Sequence, residues 1–346
     1  MNDLLSLYQK IVPEMIETLE KRYNILRNIY YNQPIGRRAL ANSLNIGERV
    51  VRTEINVLKD QGLLSVETIG MSITEEGKDV VERLKEQIHR FKGLNYLEKS
   101  LEKELNIRKV IIVPGNSDED ELILKDIGKA TSNYIVDKLE KNSIIGITGG
   151  TTMAQVAEEM PVYKKKSDLL VLPARGGLGE NVETQANNIA AKLAQKLCGN
   201  YKLLHVPDNL SEEAMEALLS VKEIKEVVDI MRNINMLVFG IGRADIMASR
   251  RHFSDDVVKH LCENRAVAES FGHYFNTKGK IIWETNTIGI SLSDFKNIKT
   301  IIGVASGENK AEAIISICRL KEDMTLITDE GAAKKILNIV STATFK

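Results

Sequence analysis

The sequence predicts an α/β protein of two domains, a small helical head closed by a β-hairpin and a larger Rossmann-like domain built on a doubly wound parallel sheet. Three observations predict it. The chain has 346 residues with 43% hydrophobic content, enough for two cores, since single domains usually run to about 100–200 residues. Two short helical patterns separated by a tight turn lie within the first 60 residues. From Lys109 onward, apolar runs bounded by turn signals alternate with helical patterns, which indicates parallel strands buried on both faces. We expect a head over residues 1–75, a connector over 76–94 and a large domain over 95–346.

Bulk properties restrict the function classes. A formal net charge of −1 with 27% charged residues excludes a chain-wide basic coat and leaves room for a local basic patch. Cys198, Cys262 and Cys318 are odd in number and lack a Cys-x-x-Cys pair, so neither a disulfide framework nor a zinc site is expected. His89, His205, His252, His260 and His273 show no metal-ligand spacing; no metal is expected. The first 17 residues hold no uninterrupted apolar core of signal-peptide type and no later stretch approaches about 20 apolar residues, so a cytoplasmic protein without a membrane partner is expected.

In the head, Leu4, Tyr8, Ile11, Met15 and Leu19 fall at helical steps, a face suited to packing or self-association. A second helix is expected over Leu19–Tyr31, stopping before Gln33-Pro34 because the residue before proline is pushed out of the α region. Helices over Arg37–Leu44 and Glu48–Asp60, with Asn45-Ile46-Gly47 between them, form a helix-turn-helix layout. At about 100° per residue, Val51, Ile55 and Leu58 share one face while Arg49, Arg52, Thr53 and Asn56 lie nearly opposite. Arginine and asparagine donors match guanine and adenine edges, and threonine meets a base or a phosphate. With Arg37 and Arg38 these make the candidate contacts to double-stranded operator DNA. From Lys21 to Lys59 there are eight basic residues (Lys21, Arg22, Arg27, Arg37, Arg38, Arg49, Arg52, Lys59) against Glu48 and Glu54. Residues 62–74 read as two short strands around a turn, which completes a winged helix-turn-helix.

In the connector, Val81, Leu84, Ile88 and Phe91 repeat at the spacing of a coiled-coil seam, and Leu94, Leu97, Leu101 and Leu105 resume the stripe. Dimerisation through this segment is the preferred reading, with a helix docked on its own domain as the alternative.

Strands are expected at Lys109–Val113, Ser143–Thr148, Asp168–Leu172, Lys202–Val206, Met236–Phe239, Lys299–Val304 and Met324–Thr328. Ligands of such sheets bind beyond the carboxyl ends of the strands. Gly149, Gly150, Thr151 and Thr152 pass from strand to glycine turn to helix start, either a phosphate cradle or a tight turn with a threonine N-cap. The run lacks Gly-Lys-Ser/Thr and Gly-x-Gly-x-x-Gly spacing, so no nucleotide cofactor is expected. Arg175 sits in the glycine-rich run Gly176-Gly177-Leu178-Gly179, where backbone approaches a ligand closely. Arg250 and Arg251 follow Gly240-Ile241-Gly242-Arg243, and Lys310 falls in the first turn of a helix, where a cation opposes the dipole and calls for an anion. Several cations and a glycine cradle imply a ligand with more than one phosphate, Thr151, Thr152 and Lys310 serving one and Arg250 or Arg251 the other. Asn116–Glu121 reads as a solvated loop.

The runs ITGGTTMA (147–154), LPARGGLGE (172–180), GIGRAD (240–245), GENKAEAI (307–314) and ITDEGAAKKIL (327–337), in this order behind a winged helix, closely resemble the SorC/DeoR-type sugar-responsive transcriptional regulators over nearly the whole length. The resemblance implies an effector domain like sugar-phosphate isomerases and deaminases, repurposed for sensing. It implies a repressor of a glycolytic operon with fructose-1,6-bisphosphate as effector, a homodimer or homotetramer. Carried over by position, the pocket would comprise Gly149, Gly150, Thr151, Thr152, Arg175, Gln185, Arg250, Arg251, Glu269 and Lys310, with Gln185 and Glu269 reading sugar hydroxyls. The rival is a catalytically active sugar-phosphate isomerase or deaminase with a regulatory head. It needs a positioned general base, and Glu269 or Asp245 would have to serve.

Overall fold

The computed structural model describes residues 11–163, 168–177, 181–208 and 210–344; Leu4 and Tyr8 of the N-terminal stripe, and Leu178 and Gly179 of the glycine-rich run, lie outside the described residues. The chain divides into two compact units between Asn95 and Tyr96.

In the first unit, α1 (Pro13–Asn32) starts with proline in its first turn, where the missing N–H costs nothing; it runs unbroken through Leu19, where a second helix was expected to begin, and stops before Gln33-Pro34 as expected. Its residues Tyr23, Ile25, Leu26 and Ile29 are buried. The helices α2 (Arg37–Ser43) and α3 (Glu48–Asp60) follow, joined by a turn in which Asn45 takes a φ of 49°. Strands β1 (Leu64–Glu67) and β2 (Gly70–Ile73) pair antiparallel with Leu64 opposite Ile73. Ile35 bridges Met71 across the outer edge. The wing is therefore tied back to the chain just ahead of α2.

Helix α4 (Glu75–Phe91) begins at Thr74, whose hydroxyl accepts from Gly77 N at 3.0 Å. Val81 and Ile88 are buried in the same core as α1 and α3, with Leu84 packed against it. This packing matches the alternative reading of the connector, a helix docked on its own domain. Of the first four residues of the stripe, Val81 and Ile88 are buried inside the head and Leu84 packs against them, because a one-sided apolar stripe buries against the nearest apolar face available, here that of its own unit. The stripe's second half belongs to α5 (Leu94–Leu105). There Glu98 Oε1 accepts from Ile112 N at 2.8 Å and Glu102 Oε1 from Val110 N at 3.2 Å. Two side-chain carboxylates thus satisfy the edge-strand amides that would otherwise template association.

The second unit holds a seven-stranded sheet of β3 (Lys109–Val113), β4 (Ile144–Ile147), β5 (Leu170–Pro173), β6 (Asn200–Tyr201), β7 (Met236–Gly240), β12 (Thr300–Val304) and β13 (Met324–Asp329). Helices α6 (Leu122–Lys138), α9 (Glu212–Ser220), α10 (Lys222–Met231), α11 (Ala244–Arg250), α12 (Asp255–Glu263) and α13 (Leu292–Asn297) are among its connections. Its spatial order is β3-β13-β12-β7-β4-β5-β6, and every pair is parallel. β7 is buried over Met236–Phe239, β12 over Ile301–Val304 and β13 throughout, as strands covered on both faces must be. The chain leaves β4 toward β5 and leaves β7 toward β12, so adjacent strands β4 and β7 form a topological switch point.

Six expected strands are present. The Lys202–Val206 run is not one of them: the edge strand ends at Tyr201 and residues 202–208 run irregularly. A second, antiparallel sheet was not anticipated, formed by β8 (Gly242–Arg243), β9 (Ala266–Ser270), β10 (His273–Asn276) and β11 (Ile281–Glu284). Phe271 and Gly272 join β9 to β10 with φ of 56° and 85°, the pair of positive angles that a type I′ hairpin turn requires. No helix among the described residues is long and apolar enough to cross a membrane.

Candidate functional site

In the head, Val51, Ile55 and Leu58 of α3 are 0%, 2% and 3% exposed, whereas Arg49, Arg52, Thr53 and Asn56 face solvent. Arg37 and Arg38 are exposed on α2. Thr53 donates to Arg49 O at 3.1 Å, and Arg38 lies 3.7 Å from Glu48 in an exposed pair too weak to withdraw it from a phosphate. The basic surplus is smaller than the count of residues suggested. Lys21 and Arg22 both pair with Glu54 at 2.8 Å, and Arg27 is 5% exposed. The cations left on the surface are those of α2 and α3.

Burial raises the Glu54 pKa, and hydrogen bonds and charge from Lys21 and Arg22 outweigh it, so the carboxyl titrates below its ordinary 4.5. A depressed carboxylate pKa contributes stability that is present above the unfolded-state value and lost as pH falls through the folded value. Unfolding of the head should therefore become easier as pH falls below about 4.5. Glu54→Gln should cost about 1–2 kcal/mol at pH 7 and nothing at pH 2, read by urea unfolding. An equal deficit at both pH values would refute the ionic account.

In the second unit the candidate residues gather at the carboxyl edge of the sheet. Thr148 accepts from Gly240 N at 3.1 Å, which staples the ends of β4 and β7 at the switch point. Helix α7 (Thr151–Glu159) starts there, with Gly150 as N-cap at φ 113°. No side chain caps it, which removes the reading of Thr151 or Thr152 as a structural cap. Thr151 is exposed and Thr152 buried. Gly149 is explained by packing, since a Cβ would lie 2.8 Å from Thr184 O. Gly150 opens onto free space, and its own N–H donates to Thr184 O at 2.9 Å. This contact sets Gln185, the residue before α8 (Ala186–Lys196), beside the helix start, where first-turn amides and the dipole favour an anion.

Glu269 on β9 is 6% exposed, and its Oε1 accepts from Gly272 N at 2.9 Å and Arg251 Nη2 at 2.8 Å, with Arg175 Nη1 at 3.6 Å. Arg251 also donates to the Tyr274 hydroxyl at 3.1 Å. Burial disfavours its charge, but the Glu269 carboxylate more than compensates and its pKa is raised. Burial pushes the Tyr274 hydroxyl up to about 12, so it stays protonated. Arg175 pairs in addition with Asp208. Arg251 and Arg175, read from the sequence as cations for a ligand, are thus already neutralised.

Lys310, in the short turn Glu308–Lys310 ahead of α14 (Ala311–Cys318), is different. It makes no ion pair within 4.0 Å among the described residues. Burial lowers its pKa, nearby Asp118 and Asp329 oppose that, and Arg250 reinforces it. Two cations close enough to repel, Lys310 and exposed Arg250, remain without a carboxylate in contact. The Asn116–Glu121 segment is solvated as expected, with Asp118, Glu119 and Glu121 exposed, and it is also tied down: Asp118 accepts from Asn309 Nδ2 at 2.6 Å and Asn116 donates to Glu308 at 3.1 Å, which docks it onto the turn that carries Lys310. Asp245 is committed to Arg243 at 3.1 and 2.5 Å, and chiefly this bond holds its pKa low, which makes it a poor base. Among the described residues no group of three or more histidine, cysteine or carboxylate side chains could hold a metal ion.

The comparisons with known proteins give the class, a transcriptional regulator with a DNA-binding head and a sugar-binding domain. The CggR N-terminal DNA binding domain model matches residues 18–88 and the Sugar-bind model, a sugar-binding domain, matches residues 89–338. The chain belongs to the SorC-type family of sugar-binding transcriptional regulators, and it is a regulator and not an enzyme. In particular it is 42% identical to the central glycolytic genes regulator of Bacillus subtilis (strain 168) over 337 residues, 97% of this chain and 99% of the relative. Identity to the same regulator of Priestia megaterium is also 42%, over 338 residues, again 97% of this chain and 99% of the relative. A SorC family regulator from Enterococcus faecalis is 40% identical, with a TM-score of 0.66 over 70% of this chain and 99% of that one. The full-length sorbitol operon regulator from Klebsiella pneumoniae, 18% identical, shares the fold over 94% of this chain and 99% of that one, with a TM-score of 0.66.

Proposed function

We propose that the protein is a cytoplasmic repressor of glycolytic genes, a homodimer or homotetramer whose hold on its operator is weakened by fructose-1,6-bisphosphate. The observation that carries this reading is Lys310, a cation that burial disfavours and that has no carboxylate within ion-pairing distance among the described residues, set after β12 on the same sheet edge as the uncapped start of α7. A phosphoryl group answers both features, since a dianion stabilises the buried ammonium and meets free amides. Arg37, Arg38, Arg49, Arg52, Thr53 and Asn56 supply the operator contacts in this reading. Gly149, Gly150, Thr151, Thr152, Lys310 and Arg250 receive one phosphoryl group, Gln185, Glu269 and Arg251 line the sugar, and Arg175 serves the second phosphoryl group. The names of the relatives support glycolytic genes as the target.

The test is an operator titration of the full chain with and without saturating fructose-1,6-bisphosphate. Linkage requires the sugar to weaken DNA binding by as much as DNA weakens sugar binding, typically a coupling of about 1–3 kcal/mol. In the same assay Arg52→Ala should lower operator affinity. It should reduce the salt slope by about one if Arg52 meets a phosphate, or relax one base position if it reads guanine. An operator affinity indifferent to the bisphosphate sinks the proposed regulation.

A further inference from the structure

Gly176 and Gly177, after β5, face a structural occupant. A Cβ on Gly176 would lie 2.1 Å from Val206 Cγ2, and one on Gly177 would lie 2.6 Å from Asp208 Oδ2. Residues 202–208 therefore cross this loop as a strap seated where only glycine fits, which displaces the expectation that the glycines admit a ligand. Beyond the strap, Leu210 N donates to Asn286 O at 3.0 Å. From the strap, Asp208 reaches Arg175.

The two carboxylates on Arg175 are not equivalent. The Glu269 side chain is 7% exposed and anchored by Gly272 N and Arg251. The Asp208 side chain is 32% exposed, and its only other hydrogen-bond partner among the described residues is the Thr287 hydroxyl at 3.4 Å. Arg175 itself is fixed. Its side chain is 11% exposed, its Nε donates to Gly176 O at 3.2 Å, and its backbone bridges Gly289. An arriving anion can thus exchange with Asp208 while Arg175 and Glu269 stay in place.

We infer that Asp208 is a built-in anion that occupies Arg175 in the free protein and is displaced by the second phosphoryl group of the ligand. This rests on the reading of the crevice as a sugar-phosphate site and adds the residue that discriminates bisphosphates from monophosphates. A monophosphate held at α7 and Lys310 leaves the Asp208–Arg175 pair intact. A bisphosphate gains Arg175 only at the cost of that pair, so its net advantage is small while Asp208 is charged. Asparagine keeps the shape, removes the competing charge and removes its repulsion of the phosphoryl group.

Calorimetric titration of the full-length wild type and Asp208→Asn with fructose-1,6-bisphosphate and fructose-6-phosphate tests this. Asp208→Asn should bind the bisphosphate about 10-fold tighter, the scale of one charge-assisted contact, with less than about a 2-fold change for the monophosphate. Unchanged or weaker bisphosphate binding, the latter meaning that Asp208 accepts a sugar hydroxyl, overturns the inference and leaves the sugar-phosphate reading standing. An equal gain for both ligands also overturns it. Should the wild type bind neither ligand, the sugar-phosphate reading falls and takes this inference with it. Thr287→Ala, which loosens Asp208 without removing its charge, gives a second readout if Asp208→Asn does not fold. It should move bisphosphate affinity in the same direction by a smaller factor, and no movement counts against the inference.

Discussion

Lys310→Met should weaken fructose-1,6-bisphosphate binding by about 30- to 1,000-fold, the roughly 2–4 kcal/mol that follows from losing a desolvated charge partner of a phosphoryl group. It should do so without lowering the melting temperature of the ligand-free protein. The second half of the expectation follows from the site. In the free protein burial works against the Lys310 ammonium, and no carboxylate lies within ion-pairing distance among the described residues. Methionine keeps the apolar stem and removes the charge that the fold must otherwise hold against Arg250. Stability should therefore stay level or rise, and operator binding without sugar should persist. A melting temperature that falls in parallel with sugar affinity would identify Lys310 as a structural residue and remove it from the phosphate site.

Asp329→Ala should destabilise the second unit by about 3–5 kcal/mol, the largest loss expected from any single carboxylate described here. Asp329 is 0% exposed. Its Oδ2 accepts from Ser117 N at 2.7 Å and Gly307 N at 2.9 Å, and its Oδ1 accepts from Ala332 N at 2.9 Å. One side chain thereby joins the loops beyond β3 and β12 to the first turn of α15 (Glu330–Thr344). Alanine would strand two buried amides, of Gly307 and Ala332, and one half-buried amide, of Ser117. Urea unfolding of the full chain, followed by a probe in the second unit, measures the effect; a loss below about 1 kcal/mol would show that the loops hold one another without it. Gly307 heads the turn that carries Lys310, so weaker sugar binding should accompany the lost stability. The two variants separate two causes of one phenotype, since Lys310→Met affects the ligand alone and Asp329→Ala affects ligand and fold together.

Legibility from sequence followed the range of the interaction that each feature depends on. The opposed faces of α3 were readable because the helical period alone decides which side chains share a side. Continuous apolar runs marked β3, β4, β5, β7, β12 and β13, since a strand buried on both faces needs no polar alternation. β9 and β10 were harder. Ala266–Ser270 and His273–Asn276 mix polar and apolar residues over five and four positions, too few to establish a period. The two-residue Phe271-Gly272 turn between them was the one local signal that would have exposed the hairpin.

Charge partners were not legible at all. Arg175, Arg250, Arg251 and Lys310 all stand as cations beside strand ends in the sequence, and nothing local distinguishes them. Tertiary structure assigned Asp208 and Glu269 to the first, Glu269 and Tyr274 to the third, and no ion-pairing carboxylate among the described residues to the other two. It likewise took Lys21 and Arg22 out of the basic surface by giving them Glu54, and turned the Val81–Ile88 stripe from a candidate dimer seam into part of the head's core. By itself the sequence determined the two domains, the winged helix-turn-helix with its exposed recognition face, and the parallel sheet with glycine and cationic residues at its carboxyl edge, because apolar periodicity and turn chemistry act over a few neighbouring residues. Only the tertiary structure decided which of those cations remain available to an anion, because an ion pair is formed by whichever carboxylate the fold brings near, and Asp208 and Glu269 stand 33 and 94 positions from the arginine they neutralise.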